Sequence, residues 1–148
     1  MIATDEEGGN VQRLSLLGAL PSQQEVSERL GPEAAGELIA AHAGVERSAG
    51  VDVVFGPVVD VVPPEGTVPL DRSRFFTGDA ATVADYARSY VEAWSSHGVV
   101  PILKHVPGHG TSSADTHDGA GVTRPLASLE ASDLVPYRAL VDTGAGVM

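Results

Sequence analysis

Short apolar segments begin near residues 1, 51, 99 and 145, and this almost even spacing constrains the fold more than any other feature. Each later segment follows a stretch with the pattern of an amphipathic helix. Strands that alternate with helices in this way predict βα units and a parallel sheet. The fold class is therefore α/β, either an open doubly wound sheet or part of a (β/α)8 TIM barrel.

Three helices are expected between the apolar segments. The first begins at Gly31-Pro32 and ends at Gly50, and the second lies between a capping Asp79 and Gly98. The third is capped by Asp133, tolerates Pro136 in its first turn and ends at Gly144. The residues expected on the buried faces are Leu38, Ala41, Val45 and Ala49 in the first helix, and Val83, Ala87, Tyr90, Val91 and core Trp94 in the second.

Polar side chains follow the apolar segments. Pro57 predicts that the second strand ends near Phe55 or Gly56, which leaves Asp60 in the loop after it. Asp5, Asp60 and Lys104 each lie at or just past the carboxyl end of a strand, as in a barrel whose strands supply one polar rim. A complete barrel needs about 250 residues. A chain of 148 residues is therefore predicted to form about half of a TIM barrel.

Composition excludes several classes of partner. The net charge of −11 and the pI of about 4.6 argue against binding to nucleic acid or an anionic membrane. The chain contains no cysteine, which excludes disulfides and thiolate metal sites. We see no apolar run of the roughly 20 residues that span a membrane. The compartment stays open between the cytoplasm and an exported or lipid-anchored location, and the oligomeric state is not predicted.

The stretch from Lys104 to His117 carries the candidate chemistry. Asp115 and His117 are two residues apart, so the carboxylate can orient the imidazole for proton transfer in glycoside hydrolysis. A metal-dependent hydrolase is an alternative, because His105, His109, Asp115 and His117 are all suitable ligands. Pro107 and Gly108 oppose the helix that would bring His105 and His109 together. A non-catalytic sugar-binding remnant is the third reading.

These residues resemble the motifs of glycoside hydrolase family 3, specifically its NagZ-like β-N-acetylglucosaminidases. The resemblance covers nearly the whole chain in the family's order. It rests on four segments: Asp5 to Arg13 (DEEGGNVQR), Val54 to Val61 (VFGPVVDV), Lys104 to Gly110 (KHVPGHG) followed by Asp115 to His117 (DTH), and Asp133 to Leu140 (DLVPYRAL). Val106 replaces the family's usual phenylalanine.

The resemblance implies that residues 1–148 form part of an N-terminal catalytic (β/α)8 domain. Its implied reaction is removal of terminal β-linked N-acetylglucosamine with retention, from cell-wall peptidoglycan fragments, without metal or cofactor. His117 would be the general acid/base and Asp115 its orienting partner. The sugar would be bound by Asp5, Arg13, Arg74 (with Arg72 as the alternative), Lys104 and His105. The aspartate nucleophile and the start of the gene product are expected outside these residues, so the fragment alone is expected to be inactive.

Overall fold

The computed structural model describes residues 1–64 and 68–148. In this part of the chain, short strands alternate with helices, and single 3-10 turns lie at Ser15–Leu17, Arg72–Arg74 and Val141–Thr143. The strands and helices, in chain order, are β1 (Ala3–Thr4), β2 (Glu6–Gly8), β3 (Val11–Gln12), α1 (Gln23–Arg29), α2 (Pro32–Ser48), β4 (Val53–Val58), α3 (Ala80–Ser96), β5 (Val100–Lys104), α4 (Leu126–Ala131), α5 (Val135–Leu140) and β6 (Gly146–Val147).

Four strands form one parallel sheet in the order β1-β4-β5-β6, while β2 and β3 form a separate antiparallel hairpin. The neighbours in the sheet follow chain order. A doubly wound sheet reverses its strand order at one point, and no such reversal occurs among these four strands. The predicted parallel βα repeat is confirmed, and the order is that of consecutive barrel strands.

Strand β4 continues through Pro57, contrary to the predicted end near Phe55 or Gly56. β1 pairs only with Val53 and Val54, so it provides no ladder partner beside Pro57. On the other side, the register with β5 shifts where Phe55 and Gly56 both oppose Ile102. A proline is tolerated at such an irregular, one-sided position because no ladder bond requires its missing N–H.

Helix α3 forms as predicted and supplies much of the core. The Asp79 side chain caps it by accepting a hydrogen bond of 2.8 Å from the Thr82 backbone N–H. Tyr90 and Trp94 are buried, and their rings meet edge to face at 5.5 Å. The whole predicted stripe is buried, so Trp94 is confirmed as a core residue: Val83, Ala87, Tyr90, Val91 and Trp94.

Helix α2 has the predicted bounds but buries a different face. Of the predicted face, only Leu38 packs partly buried against the core, whereas Val45 is 43% exposed and Ala41 and Ala49 are exposed as well. The buried residues are instead Ala35, Ile39, His42, Ala43 and Glu46. The prediction was wrong because apolar periodicity assumes that a buried face is apolar, whereas this helix buries an imidazole and a carboxylate.

The cap predicted at Asp133 is also wrong. Helix α5 begins after Leu134 without a side-chain cap, and the buried Asp133 side chain pairs with Arg124 instead. Pro136 lies in the first turn as predicted. The hairpin β2–β3 and the helices α1 and α4 were not predicted from the sequence. None of the helices in residues 1–64 and 68–148 is long and apolar enough to cross a membrane.

Candidate active site

The carboxyl ends of the parallel strands bring the predicted polar side chains to one edge of the sheet. Asp5 follows β1, Asp60 follows β4, and Lys104 is the last residue of β5. Val58 near the end of β4 lies opposite Lys104 in the ladder. The three side chains therefore share one rim, as the strand pattern predicted.

Lys104, the only lysine in the sequence, is buried at the centre of this rim. Its Nζ lies 2.7 Å from Asp5 Oδ1 and 2.6 Å from Glu7 Oε1. Only 3% of the Lys104 side chain is exposed, against 39% of Asp5. Lys104 thus fixes the orientation of Asp5, while Asp5 remains accessible to a ligand.

Glu7 joins the two cations of the rim, a role that the sequence analysis did not assign to it. Its carboxylate accepts two hydrogen bonds of 2.8 Å from Arg74, in addition to the contact with Lys104. Burial alone would lower the pKa of Arg74, but its hydrogen bonds and the charges of Glu7, Asp60 and Asp5 raise it. The signal for Glu7 is its place two residues after Asp5, on the same face of an extended strand.

Arg74 reaches this carboxylate from a 3-10 turn, Arg72–Arg74. The turn is fixed by Asp71, which accepts hydrogen bonds from Ser73 N (3.0 Å) and from Asn10 Nδ2 (2.9 Å). Arg72 donates to the carbonyl oxygen of Pro63 at 2.9 Å. Of the two arginines that the sequence offered, Arg74 is the one in contact with Glu7.

Asp60 orients His105, a role that the sequence analysis did not assign to it, although the strand pattern placed it on the rim. Its Oδ2 lies 2.7 Å from His105 Nδ1, and its Oδ1 accepts a hydrogen bond of 2.6 Å from His109 N. Because His105 Nδ1–H donates a hydrogen bond to Asp60, the Nε2 of His105 can act as the acceptor for Arg74 Nη2, which is 3.5 Å away. The buried carboxylate therefore sets both the tautomer and the direction of the imidazole.

His109 lies behind His105, with 5.7 Å between the ring centroids. Burial, together with the charges of His105 and Arg74, lowers the pKa of His109, although Asp60 and Asp115 oppose this shift. A cavity of about 300 Å³ is lined by both imidazoles and by Thr116 of the following loop. The loop that carries Asp115 and His117 therefore borders the rim.

Asp115 and His117 form the hydrogen-bonded pair that their spacing predicted. His117 Nδ1 lies 2.6 Å from Asp115 Oδ1, and the His117 backbone N–H donates to the same oxygen at 2.9 Å. These hydrogen bonds lower the pKa of Asp115, so it stays anionic in mildly acidic solution. The side chain of His117 is 74% exposed, which leaves its Nε2 open to a ligand.

Two glycines let the chain turn tightly at the rim. Gly8 has φ +88°, and a Cβ there would lie 2.1 Å from the carbonyl oxygen of Pro21. A Cβ at Gly110 would lie 2.4 Å from the carbonyl oxygen of Val61. Both contacts are with backbone, so any side chain would displace the segments that position Glu7 and His109.

Arg13 lies beside the rim on the hairpin rather than within its ion pairs. Its backbone N–H donates to Glu6 Oε2 at 3.0 Å and to the carbonyl oxygen of Asp5 at 3.3 Å, and its side chain is exposed. The structure thus brings Asp5, Arg74, Lys104 and His105 into one network. It leaves Arg13 at the border of that network.

The set proposed for a metal-dependent hydrolase, His105, His109, Asp115 and His117, does not converge. In the described residues, no three of these side chains place ligand atoms within 4.8 Å of one another. His105 Nδ1 is engaged by Asp60, and Asp115 pairs with His117 on the exposed loop. The chain turns at Pro107-Gly108 instead of forming a helix, as the sequence suggested, although the two imidazole rings lie near each other.

Comparison with known proteins places this arrangement in a family. The profile of the glycosyl hydrolase family 3 N-terminal domain matches residues 1–148. Beta-hexosaminidase LpqI of Mycobacterium tuberculosis is 44% identical, over 99% of this chain and 38% of the relative. Beta-hexosaminidase of Xylella fastidiosa is 41% identical, over 98% of this chain and 45% of the relative.

Solved structures agree with the sequence relatives. A GH3 family glycosyl hydrolase of Mycobacterium smegmatis superposes with a TM-score of 0.92 at 38% identity, over 99% of this chain and 46% of that one. NagZ of Neisseria gonorrhoeae, solved with N-trifluoroacetyl-D-glucosamine, gives 0.88 at 31% identity, over 100% and 46%. The chain therefore spans less than half the length of these relatives.

Proposed function

This chain belongs to glycoside hydrolase family 3, and we propose that it carries the sugar-binding face and proton-transfer pair of a retaining β-N-acetylhexosaminidase. The observation that carries the proposal is the Asp115–His117 pair, held at 2.6 Å on a loop that borders the Lys104 network. The fold is α/β, with the parallel βα units of a partial TIM barrel. We propose residues 1–148 as part of the N-terminal catalytic domain of that barrel.

The proposed substrate is a glycan that ends in β-linked N-acetylglucosamine, with peptidoglycan fragments as its source. Relatives at 41–44% identity are beta-hexosaminidases, and NagZ of Neisseria gonorrhoeae binds an N-acylated glucosamine derivative. The rim suits such a ligand because sugar hydroxyls both donate and accept hydrogen bonds. Asp5 and the Nε2 of His105 offer acceptors, and Lys104, Arg74 and Arg13 offer donors.

His117 acts as general acid and then as general base in the proposed reaction. With Nδ1 held by Asp115, Nε2 delivers its proton to the departing glycosidic oxygen while a carboxylate attacks the anomeric carbon. In the second step, Nε2 takes a proton from the water that hydrolyses the glycosyl-enzyme. The anionic Asp115 stabilises the imidazolium that alternates between these steps.

The nucleophile is proposed to come from outside these 148 residues. In a retaining glycosidase, the nucleophile lies about 5 Å from the acid/base group. Asp115 is the carboxylate that contacts His117 in the described residues, and Asp5, Glu7 and Asp60 are each engaged by a cation or an imidazole. We therefore expect the 148 residues alone not to release N-acetylglucosamine at the rates of the longer relatives.

The test is His117→Ala in the polypeptide as the gene encodes it, assayed on two substrates. We expect a loss of about 100-fold or more in kcat on an unactivated chitooligosaccharide, whose leaving group needs a proton. On an activated nitrophenyl glycoside, the loss in the first step should be less than about tenfold, since that leaving group departs without protonation.

His97→Ala is the matched control, because His97 is also exposed but lies at the end of α3. It should change neither rate. Equal losses on both substrates in His117→Ala would refute the acid/base role. Zn²⁺ that binds to the wild type but not to His117→Ala would instead favour the metal-dependent alternative.

A further inference from the structure

A second cluster of titratable groups lies on the other side of the hairpin from the Lys104 network. It consists of Glu6 on β2 and of His42 and Glu46 on α2. The four-residue spacing places His42 and Glu46 on the same face of the helix, directed toward Glu6. The residues are 0%, 7% and 0% exposed. The proposed reaction uses none of them.

The distances within the cluster differ from those of the other imidazole–carboxylate pairs. His42 Nε2 lies 3.4 Å from both Glu6 Oε1 and Glu46 Oε1. In the same molecule, His105–Asp60 and His117–Asp115 have separations of 2.7 and 2.6 Å, as charge-assisted hydrogen bonds do. At 3.4 Å, His42 is too distant from either carboxylate for a strong hydrogen bond.

A separation of 3.4 Å does fit two ligands of one metal ion. Ligands bound tetrahedrally at about 2.0–2.1 Å, as around Zn²⁺, are roughly 3.3–3.4 Å apart. All three ligand atoms lie within 4.8 Å of one another. The three atoms form a triangle with two sides of 3.4 Å and a third of at most 4.8 Å. The point in its plane that is equally far from all three atoms is therefore about 2.4 Å or less from each, close to zinc–ligand bond lengths.

The remaining oxygens of both carboxylates are already occupied. Glu6 Oε2 accepts hydrogen bonds from the backbone N–H groups of Arg13 and Leu14, at 3.0 and 3.1 Å. Glu46 Oε2 accepts one of 2.8 Å from Trp94 Nε1. Glu46 Oε1 is buried, has no hydrogen-bond partner and faces His42. An unpartnered buried carboxylate oxygen aimed at the centre of the cluster indicates an acceptor for a missing ligand.

The charge of the cluster also favours a cation. Burial alone would lower the pKa of His42, but Glu46 and Glu6 raise it to about 9. Even with a protonated imidazole, two buried carboxylates leave one uncompensated negative charge. A divalent ion bound to a neutral imidazole would bring the sum to zero, which is the less costly arrangement in a buried site.

We propose that Glu6, His42 and Glu46 form a buried binding site for one divalent transition-metal ion, best suited to Zn²⁺. One imidazole nitrogen and two carboxylate oxygens are a ligand set that zinc accepts, with water or a second carboxylate oxygen in the fourth position. The ion would tie the β1–β2 segment to α2 directly behind Asp5 and Glu7. The proposal is independent of the proposed glycosidase activity.

The experiment measures Co²⁺ and Zn²⁺ binding to the gene-encoded polypeptide after removal of metal with EDTA. We expect one equivalent per chain, visible as Co²⁺ d–d absorption that Zn²⁺ displaces, and a higher Tm with Zn²⁺. His42→Gln and Glu46→Gln should each weaken binding at least tenfold and abolish the rise in Tm. Glu37→Gln, an exposed carboxylate on the same helix, and His117→Ala should bind like the wild type.

Absence of bound metal in the wild type would overturn the proposal, leaving a proton as the occupant of the cluster. So would binding that survives His42→Gln and disappears in His117→Ala. Far-UV circular dichroism checks the folding of each variant. X-ray absorption of the wild-type zinc complex tests the site without any variant: one imidazole and carboxylate oxygens are expected, and two or more imidazoles would refute the assignment.

Discussion

Replacement of Glu7 by glutamine tests the Lys104 network, because this carboxylate joins both of its cations. Glu7 is almost completely buried. Its carboxylate accepts two hydrogen bonds from Arg74 and lies 2.6 Å from the Nζ of Lys104. Glutamine has nearly the same shape but no charge, and its amide NH2 would face one of the cations. The substitution therefore isolates the contribution of the Glu7 charge to the free energy of unfolding.

The expected loss of stability is about 3 kcal/mol. Removing one member of a buried ion pair costs about 3–5 kcal/mol, since the partner is left buried and uncompensated. Arg74 would lose its carboxylate partner, and its side chain is only 12% exposed. Lys104 would retain Asp5, which is 39% exposed. This remaining pair places the expected cost at the lower end of the range.

Urea unfolding of the gene-encoded polypeptide, followed by far-UV circular dichroism, measures this loss. Glu37→Gln is the control, because the exposed Glu37 carboxylate should contribute no more than about 0.5 kcal/mol. A double-mutant cycle with Arg74→Met should give a coupling energy of at least about 1 kcal/mol. If Glu7→Gln destabilises the protein no more than Glu37→Gln, the charge of Glu7 does not stabilise the network.

Asp60→Asn should lower kcat/KM about 10–100-fold with little change in secondary structure, because His105 loses a charge-assisted hydrogen bond; an unchanged rate would contradict its orienting role. Gly110→Ala should unfold at lower urea concentration, because the new Cβ would lie 2.4 Å from Val61 O; an unchanged midpoint would argue against this close approach. In EDTA, raising the pH from 6.5 to 9 should cost about 3 kcal/mol of stability, because folding raises the pKa of His42 to about 9; His42→Gln should remove this slope, and an equal slope in that variant would refute it.

Much of the fold was predictable because helices and strands leave regular apolar patterns. The spacing of apolar segments predicted the parallel βα units, and Asp79 caps α3 as its position indicated. The hairpin β2–β3 escaped prediction because its strands have only three and two residues. The sequence signal for helix α1 is the capping box of Ser22 and Glu25.

The site was predictable where its members are close in sequence. The Asp115–His117 pair is local, and its spacing was sufficient to predict the contact. Glu7 and Asp60 could not be assigned in the same way, because their partners lie 67 and 45 residues away and local spacing does not encode such contacts. The prediction of the buried face of α2 failed for a related reason. His42 lies against the carboxylate of Glu6, on a strand that is distant in sequence, rather than against apolar side chains.

Strand alternation explains how three consecutive carboxylates serve two separate clusters. Asp5 and Glu7 are two residues apart and both contact Lys104, whereas Glu6 between them contacts His42 on α2. Successive side chains of an extended strand point to opposite faces, so this division follows from the backbone alone. A shift of this segment by one residue would direct Glu6 toward Lys104, and Asp5 and Glu7 toward α2. The turn at Gly8 therefore keeps Asp5, Glu6 and Glu7 in the register that both clusters require.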